Sequence, residues 1–460
     1  MNSIGMYFGL VMRIYDDCEY LGRNASRRPA FSNDVAWTLR QTGRMGIIFY
    51  KIKSMRKYII FIVLMTSVIG CTNQQNKTSR YSEEQIASLH LDSTTLLNVI
   101  TDNIETIDLN PFLKQQHFDF GALIKNVKII PLETTDESLI DDIYKVLVTD
   151  SNIYIMDGFK GRGIIIFNKE GKFIKRISNG QGPGELIRLH DIAFDSENNE
   201  LIAYQHSFLL FFTPAGEFIQ QKRLPFGFYN FTVIPNGYVF KALDKQGNEH
   251  LDILQYYTLF VTDKNFELNS VALPVLESDV NYGGYNYLYN NNNTISITHK
   301  FTDTVYHYIN ETNQLKARYA LNYSKKKLPE RYLQGTMNEF DAAISQNDYW
   351  YYIGEYLETE SHHIFFLRND YIRLQTIVYR DKQSGNLSGG TNADYNINEI
   401  PPFGFPIAAS GKYLISTHYP SANNSLAPVC SMLSDEDNRK IKNLTEDDNP
   451  VLVFYELKDF

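Results

Sequence analysis

Short apolar runs, each introduced by a turn residue, recur along most of this chain. They read Asn152-Ile-Tyr-Ile-Met, Glu200-Leu-Ile-Ala-Tyr, Gly237-Tyr-Val-Phe, Asn293-Thr-Ile-Ser-Ile, His362-His-Ile-Phe-Phe and Lys412-Tyr-Leu-Ile-Ser. Runs of four or so β-branched and aromatic residues predict strands. A second feature alternates with the first: a hairpin turn between two strand patterns. It reads Phe167-Asn-Lys-Glu-Gly171-Lys-Phe-Ile and Phe212-Thr-Pro-Ala-Gly216-Glu-Phe-Ile. Weaker copies stand at Val261-Thr-Asp-Lys-Asn265, at Asn313 and at Asp381-Lys-Gln-Ser-Gly385. Gly or Asn holds the same turn position each time, and those residues tolerate the positive φ of a tight hairpin.

The two features together repeat about every 45–50 residues. One longer step precedes the fifth copy. Pro-Glu-Arg-Tyr-Leu from Pro329 and the residues to Ile344 fill it, and they read as an inserted helix opened by Pro329. Another insertion lies between Ser425 and Asn449 and reads as a helix followed by an acidic loop. A repeat of this length with about four strands predicts the blade of a β-propeller. The expected fold is all-β: six four-stranded antiparallel blades over residues 127–460, with short helical insertions. A two-layer sandwich is the rival, and six similar units argue against it. The sixth unit lacks a closing hairpin. The strand pattern at 127–133 is expected to complete it against 451–457, which removes the exposed edges of an open ring.

Residues 81–100 show apolar spacing at Ile86, Leu89, Leu96 and Leu97, and predict a small helical preface within 71–126. Upstream, Met55-Arg56-Lys57 precedes an apolar run of about eleven residues and then Ile69-Gly70-Cys71. The run is too short for a spanning helix, which takes about 20 residues. It resembles a bacterial lipoprotein signal peptide at 55–70. The resemblance implies lipid attachment at Cys71 and membrane anchoring through it. Met55 then reads as the initiator, and 1–54 as an extension outside the protein proper. The segment after Cys71 is polar and carries no acidic cluster beside the cysteine, which points to an envelope protein facing the periplasm rather than the outer surface.

Composition narrows the partners. Net charge is −9 over 460 residues, and ten Lys/Arg against four Asp/Glu fall in the first 57. From Cys71 onward the balance is 34 basic to 49 acidic, near −15. Such a surface repels phosphate backbones and argues against nucleic acid. Aromatics reach 14%, with 32 Tyr and 29 Phe, in keeping with strands. The three cysteines, Cys18, Cys71 and Cys430, fit neither a zinc site nor a disulfide framework.

The chain resembles a family, the six-bladed β-propeller lipoproteins of Bacteroides-type bacteria, related to NHL-repeat propellers. The residues that carry the resemblance are Ile130-Pro-Leu-Glu-Thr134, Phe167-Asn-Lys-Glu-Gly-Lys-Phe173, Gly180-Gln-Gly-Pro-Gly-Glu185, Asp191-Ile-Ala-Phe-Asp195 and Asn449-Pro450. The resemblance implies an envelope location and a fold, and supplies no catalytic residue.

Candidate chemistry is sparse. Three glycines in Gly180–Glu185 can converge backbone N–H groups on an anion, and Gln181 and Glu185 can contact a sugar or cation. The same residues also suit a connection between blades. Adjacent His362 and His363 point to opposite faces of a strand and cannot share a metal. Tyr282-Gly-Gly-Tyr285-Asn-Tyr287 and the asparagines that follow suit a carbohydrate platform, with Tyr285, Tyr287, Asn291 and Asn292 as contacts. Trp350-Tyr351-Tyr352 suits the same role or packing between blades. No catalytic residue, metal ligand or cofactor is indicated. The expected function is a non-catalytic module for a glycan, a peptide or an envelope protein. The alternative is a lyase or hydrolase working at the central opening.

Overall fold

The computed structural model describes residues 80–460, except 114–117, 159–162, 245–246, 277, 279, 281–283, 285, 292–293, 370–374, 392–405 and 421–429. The chain divides into two compact units, Met1–Ser82 and Glu83–Phe460. The second is a six-bladed β-propeller. The lipobox, Cys71 and Met55 lie outside the described residues.

Blades 1 to 5 each take four consecutive antiparallel strands, at 143–177, 189–223, 230–274, 288–322 and 356–391. The first strands of successive blades touch one another in a closed circuit. Each apolar run read from the sequence is the second strand of a blade, and each tight turn joins third to fourth strands. Blade 6 takes three strands from the C-terminal end, Ala408–Ser410, Tyr413–His418 and Val451–Leu457. Its fourth is Ile124–Pro131, antiparallel to the last, with Val453 opposite Ile129. The expected closure is thus present, with its strand beginning at Ile124 rather than Val127.

Burial explains why the second strands are apolar throughout instead of alternating. Each blade is covered on both faces, as in a sheet buried between layers. In Asn152–Asp157, Ile153 and Ile155 pack with Leu452 and Phe454 of blade 6. Tyr154 and Met156, one step along, pack with Leu201 and Leu210 of blade 2. A separate apolar core fills every one of the six junctions.

The motif residues that carry the family resemblance fasten the closure. Glu133 accepts a hydrogen bond from the Phe173 amide (2.8 Å). Asn449 is buried; it accepts from the Ile140 amide (2.8 Å) and donates to the carbonyls of Glu133 and Ser138 (both 2.9 Å). Gly171 has φ +80°, and a Cβ there would lie 2.2 Å from the Pro131 carbonyl. Asp191 takes the Lys145 ammonium of blade 1 (2.7 Å) and the Phe231 amide of blade 3 (2.9 Å), linking three blades.

The helix expected over 81–100 is confined to Glu83–Ala87. The rest is an extended belt on the outer rim. Thr95–Leu96 adds a parallel strand to blade 3, and Val99–Ile100 and Glu105–Asp108 add to blade 4. Leu89 and Ile107 anchor it in the cores of the junctions between blades 2 and 3 and between blades 4 and 5. Tertiary burial on those sheet edges overrides the helical spacing. Among the described residues no helix is long and apolar enough to cross a membrane.

Candidate functional site

Strand direction sorts the connections by length. At one end of the blades every turn is tight. At the other end, where first strands begin and second strands finish, the chain makes long excursions at 242–256, 275–287, 323–355 and 419–450. Rigid blades carrying long loops at one end place binding chemistry there.

The excursion at 323–355 builds a pocket of about 130 Å³. Pro329 caps a 3-10 turn, Glu330–Tyr332, rather than opening the main helix. The helix runs Met337–Asn347 and begins at Thr336, whose side chain accepts from the Glu339 amide while Glu339 accepts from the Thr336 amide. Phe340, Ala343 and Ile344 seat this helix on Phe301, Leu328 and Tyr351. The Ser278 hydroxyl ties the neighbouring excursion to the Leu333 carbonyl (2.6 Å). Leu276, Phe301, Leu328 and Leu333 give the pocket apolar walls, and Lys327, Glu330 and Gln334 are exposed parts of its lining.

Two tyrosines bring polar groups into these walls. Tyr323 donates to Asp303 (2.5 Å), which also pairs with Lys327. Tyr352 is fully buried in the core between blades 4 and 5, and among the described residues its hydroxyl has no hydrogen-bond partner. Burial holds both phenols well above their ordinary pKa, with Asp303 adding to the effect at Tyr323 and Tyr289 and Glu355 at Tyr352. Both therefore stay protonated and act as donors.

A second polar cluster lies between blades 4 and 5 and is internally satisfied. Glu358 accepts from Ser296 (2.8 Å), Tyr356 (2.9 Å) and Arg318 (3.3 Å), and pairs with Lys382 (2.7 Å). Burial alone would raise this carboxyl; the basic groups His363, Lys382 and Arg318 outweigh it and bring it to about 2. His363 bonds Tyr319 (2.8 Å) and Tyr356 (2.7 Å), and burial brings its imidazole to about 2. At neutral pH the imidazole is therefore neutral, and the two cations hold Glu358. His362 turns the other way, to the Lys458 carbonyl (3.1 Å) and the Phe460 ring, as strand alternation requires.

The structure separates the residues expected to form a carbohydrate platform. Tyr287 is buried, its hydroxyl accepting from the Gly284 amide (2.6 Å), so its ring offers no free face. Asn291 lies at the other end of its strand, about 13 Å along, and donates to the Glu358 carbonyl (3.0 Å). Tyr285 and Asn292 fall outside the described residues. Gln181 is exposed on the connection between blades 1 and 2. Glu185 accepts from the Gly182 amide (2.6 Å), the capping role open to it in the sequence. Tyr351 and Tyr352, noted among the aromatic candidates, do line the pocket. Asp303, Tyr323 and Lys327 had no recognisable spacing; the only signal was the long step in the repeat that follows them.

The insertion expected as a helix followed by an acidic loop forms the helix Asp435–Asn443, capped by Ser434, and then the acidic turn Thr445–Asp448. Acidic residues in a first turn favour that end of the helix dipole.

Comparison with known proteins agrees with the architecture. A Bacteroides fragilis protein described as exported superposes with a TM-score of 0.63 at 17% identity, covering 77% of this chain and all of that one. A Bacteroides caccae protein of unknown function gives 0.34 at 10% identity over 55% of this chain and 82% of that one, and bears no argument. No curated protein matches the sequence. The family described as "Domain of unknown function (DUF4934)" matches residues 104–456, which takes in the last strand of the belt and all six blades. The chain belongs to that family.

Proposed function

We propose that this propeller is a non-catalytic binding module of the cell envelope, anchored by lipid at Cys71, facing the periplasm, and that the pocket under 323–355 receives an apolar side chain of a peptide. The observation that carries the ligand class is the pocket lining. A sugar ring brings several hydroxyls, each needing a partner when buried. The inner walls are leucine, phenylalanine and tyrosine, with Lys327, Glu330 and Gln334 at the exposed part of the lining. An apolar side chain or small aromatic group satisfies the inner walls, whereas a monosaccharide would bury hydroxyls against them. A cavity of about 150 Å³ accommodates benzene, so the volume suits one such group.

Binding rather than proton transfer is supported by the tyrosines. Their pKa values are pushed away from neutrality, whereas a general acid or base works best near the ambient pH. The likeness to an exported Bacteroides protein accords with an envelope location, and the lipoprotein and NHL-related character rests on the sequence motifs.

The anchor is tested by fractionation. Wild-type protein is expected in the membrane fraction with an acylated Cys71 by mass spectrometry, and Cys71→Ala in the soluble fraction. A Cys71→Ala protein that stays with membranes contradicts the anchor. The pocket is tested by calorimetry with the substitutions given at the end of the Discussion.

A further inference from the structure

Lys241, His299 and Lys300 come together at the junction of blades 3 and 4. Lys241 ends the strand Gly237–Lys241. Alternation places it on the face of Val239, which packs against blade 4. His299 and Lys300 follow the second strand of blade 4, Thr294–Ile297. Their exposures are 0%, 3% and 8%. The Lys241 ammonium sits 5.9 Å from the Tyr287 ring centroid.

Their hydrogen bonding is incomplete. Lys241 Nζ donates to the Ala242 carbonyl (2.8 Å), which uses one of its three hydrogens. Among the described residues neither ring nitrogen of His299 has a hydrogen-bond partner, although the backbone of Pro274 lies close enough to act on the ring. Among the described residues, the carboxylate acting on the group is Asp244, at Lys300. Burial, followed by the charge of Lys300, pushes the Lys241 amine well below its ordinary value; burial, then Lys241 and Lys300, brings His299 to about 2.

Native interiors rarely leave buried polar atoms unpaired, and an ion or water usually accounts for those that are. Deprotonating Lys241 removes a charge but leaves amine hydrogens and both imidazole nitrogens unbonded. One small anion answers most of it: it accepts from Lys241, from the single N–H of His299 and from Lys300, and offsets the like charges. We propose that Lys241, His299 and Lys300 hold a small oxyanion at the junction of blades 3 and 4. The anion is either a free inorganic species or the carboxylate of a larger ligand, and the next residue, Phe301, lines the pocket described above. This site does not depend on the peptide reading.

The test uses the mature chain, residues 71–460, refolded from urea into buffer whose only other anion is a bulky sulfonate. Thermal unfolding is followed against inorganic phosphate and, separately, acetate at constant ionic strength. The midpoint is expected to rise by about 5 °C and saturate. A response to phosphate identifies a free inorganic anion as sufficient; a response to acetate alone identifies a carboxylate. No saturable response to either overturns the proposal. Lys241→Met removes the cation while keeping an unbranched apolar chain, and such replacements are often neutral or stabilising. The variant is expected to fold and to lose the rise; an undiminished rise in Lys241→Met overturns the site. Should that variant not fold, Lys300→Gln is read instead, with an expected tenfold weaker midpoint concentration. An unchanged midpoint concentration in Lys300→Gln overturns it equally.

Discussion

Val453, in the last strand of the chain, lies opposite Ile129 in the strand that precedes the first blade. The pair joins the two ends of the ring, and Val453 is fully buried in the core between blades 5 and 6. Val453→Asp places an unpaired carboxylate there and is expected to cost about 3–5 kcal/mol. Urea unfolding with two probes should show a lower midpoint or loss of cooperativity. A midpoint within error of wild type would contradict ring closure by this strand.

Acid should weaken the junction of blades 4 and 5. The His363 imidazole, ordinarily near 6.5, is held at about 2, so protons favour the unfolded chain below pH 6.5. The Glu358 carboxyl, ordinarily 4.5, is also held at about 2, so its contribution is full above pH 4.5 and is lost as pH falls toward 2. Stability should therefore fall from pH 6.5 downward and more steeply below 4.5. Glu358→Gln strands Lys382 and Arg318 and is expected to cost about 3–5 kcal/mol at pH 7, with a flatter acid limb. An unaltered acid limb in that variant would contradict the assignment.

The belt at 83–108 covers sheet edges. Removing it leaves the outer strands of blades 3 and 4, Leu268–Pro274 and Gln314–Asn322, with unpaired backbone and uncovers the core around Leu321. Exposed edges of this kind pair with other chains. Sedimentation velocity of the deletion variant should show self-association at micromolar concentration. A stable monomer would contradict the capping role.

Much of this architecture was legible because one physical cause repeats. A strand buried on both faces must be apolar throughout, so Ile153-Tyr-Ile-Met and its five counterparts stand out. The missing hairpin of the sixth unit pointed to closure by an N-terminal strand for the same reason. The belt was not legible: Leu89, Leu96 and Leu97 have helical spacing, and only the sheet edges they meet make them extended. The pocket was half legible. The helix that builds it is read from the long step after blade 4, whereas Asp303, Tyr323 and Lys327 are brought together by the junction and have no spacing in the sequence. Of the tyrosine platform, Tyr287 is buried and precedes a strand that carries Asn291 to the far end, while Tyr285 and Asn292 lie outside the described residues. The glycine-rich motif at 180–185 was specific to the fold, and its capping contact accounts for Glu185.

The binding reading meets its most direct test in isothermal titration of the mature protein with short apolar peptides and with monosaccharides. Leu333→Ala removes part of an apolar wall of the pocket, so affinity for an apolar peptide should fall about tenfold while unfolding of the blades stays cooperative. Gln334→Trp, at an exposed position of the pocket lining, should block entry without unfolding the blades. The account predicts saturable peptide binding that both substitutions weaken, and no measurable binding of monosaccharides. Saturable monosaccharide binding, or peptide binding that neither substitution alters, would contradict it.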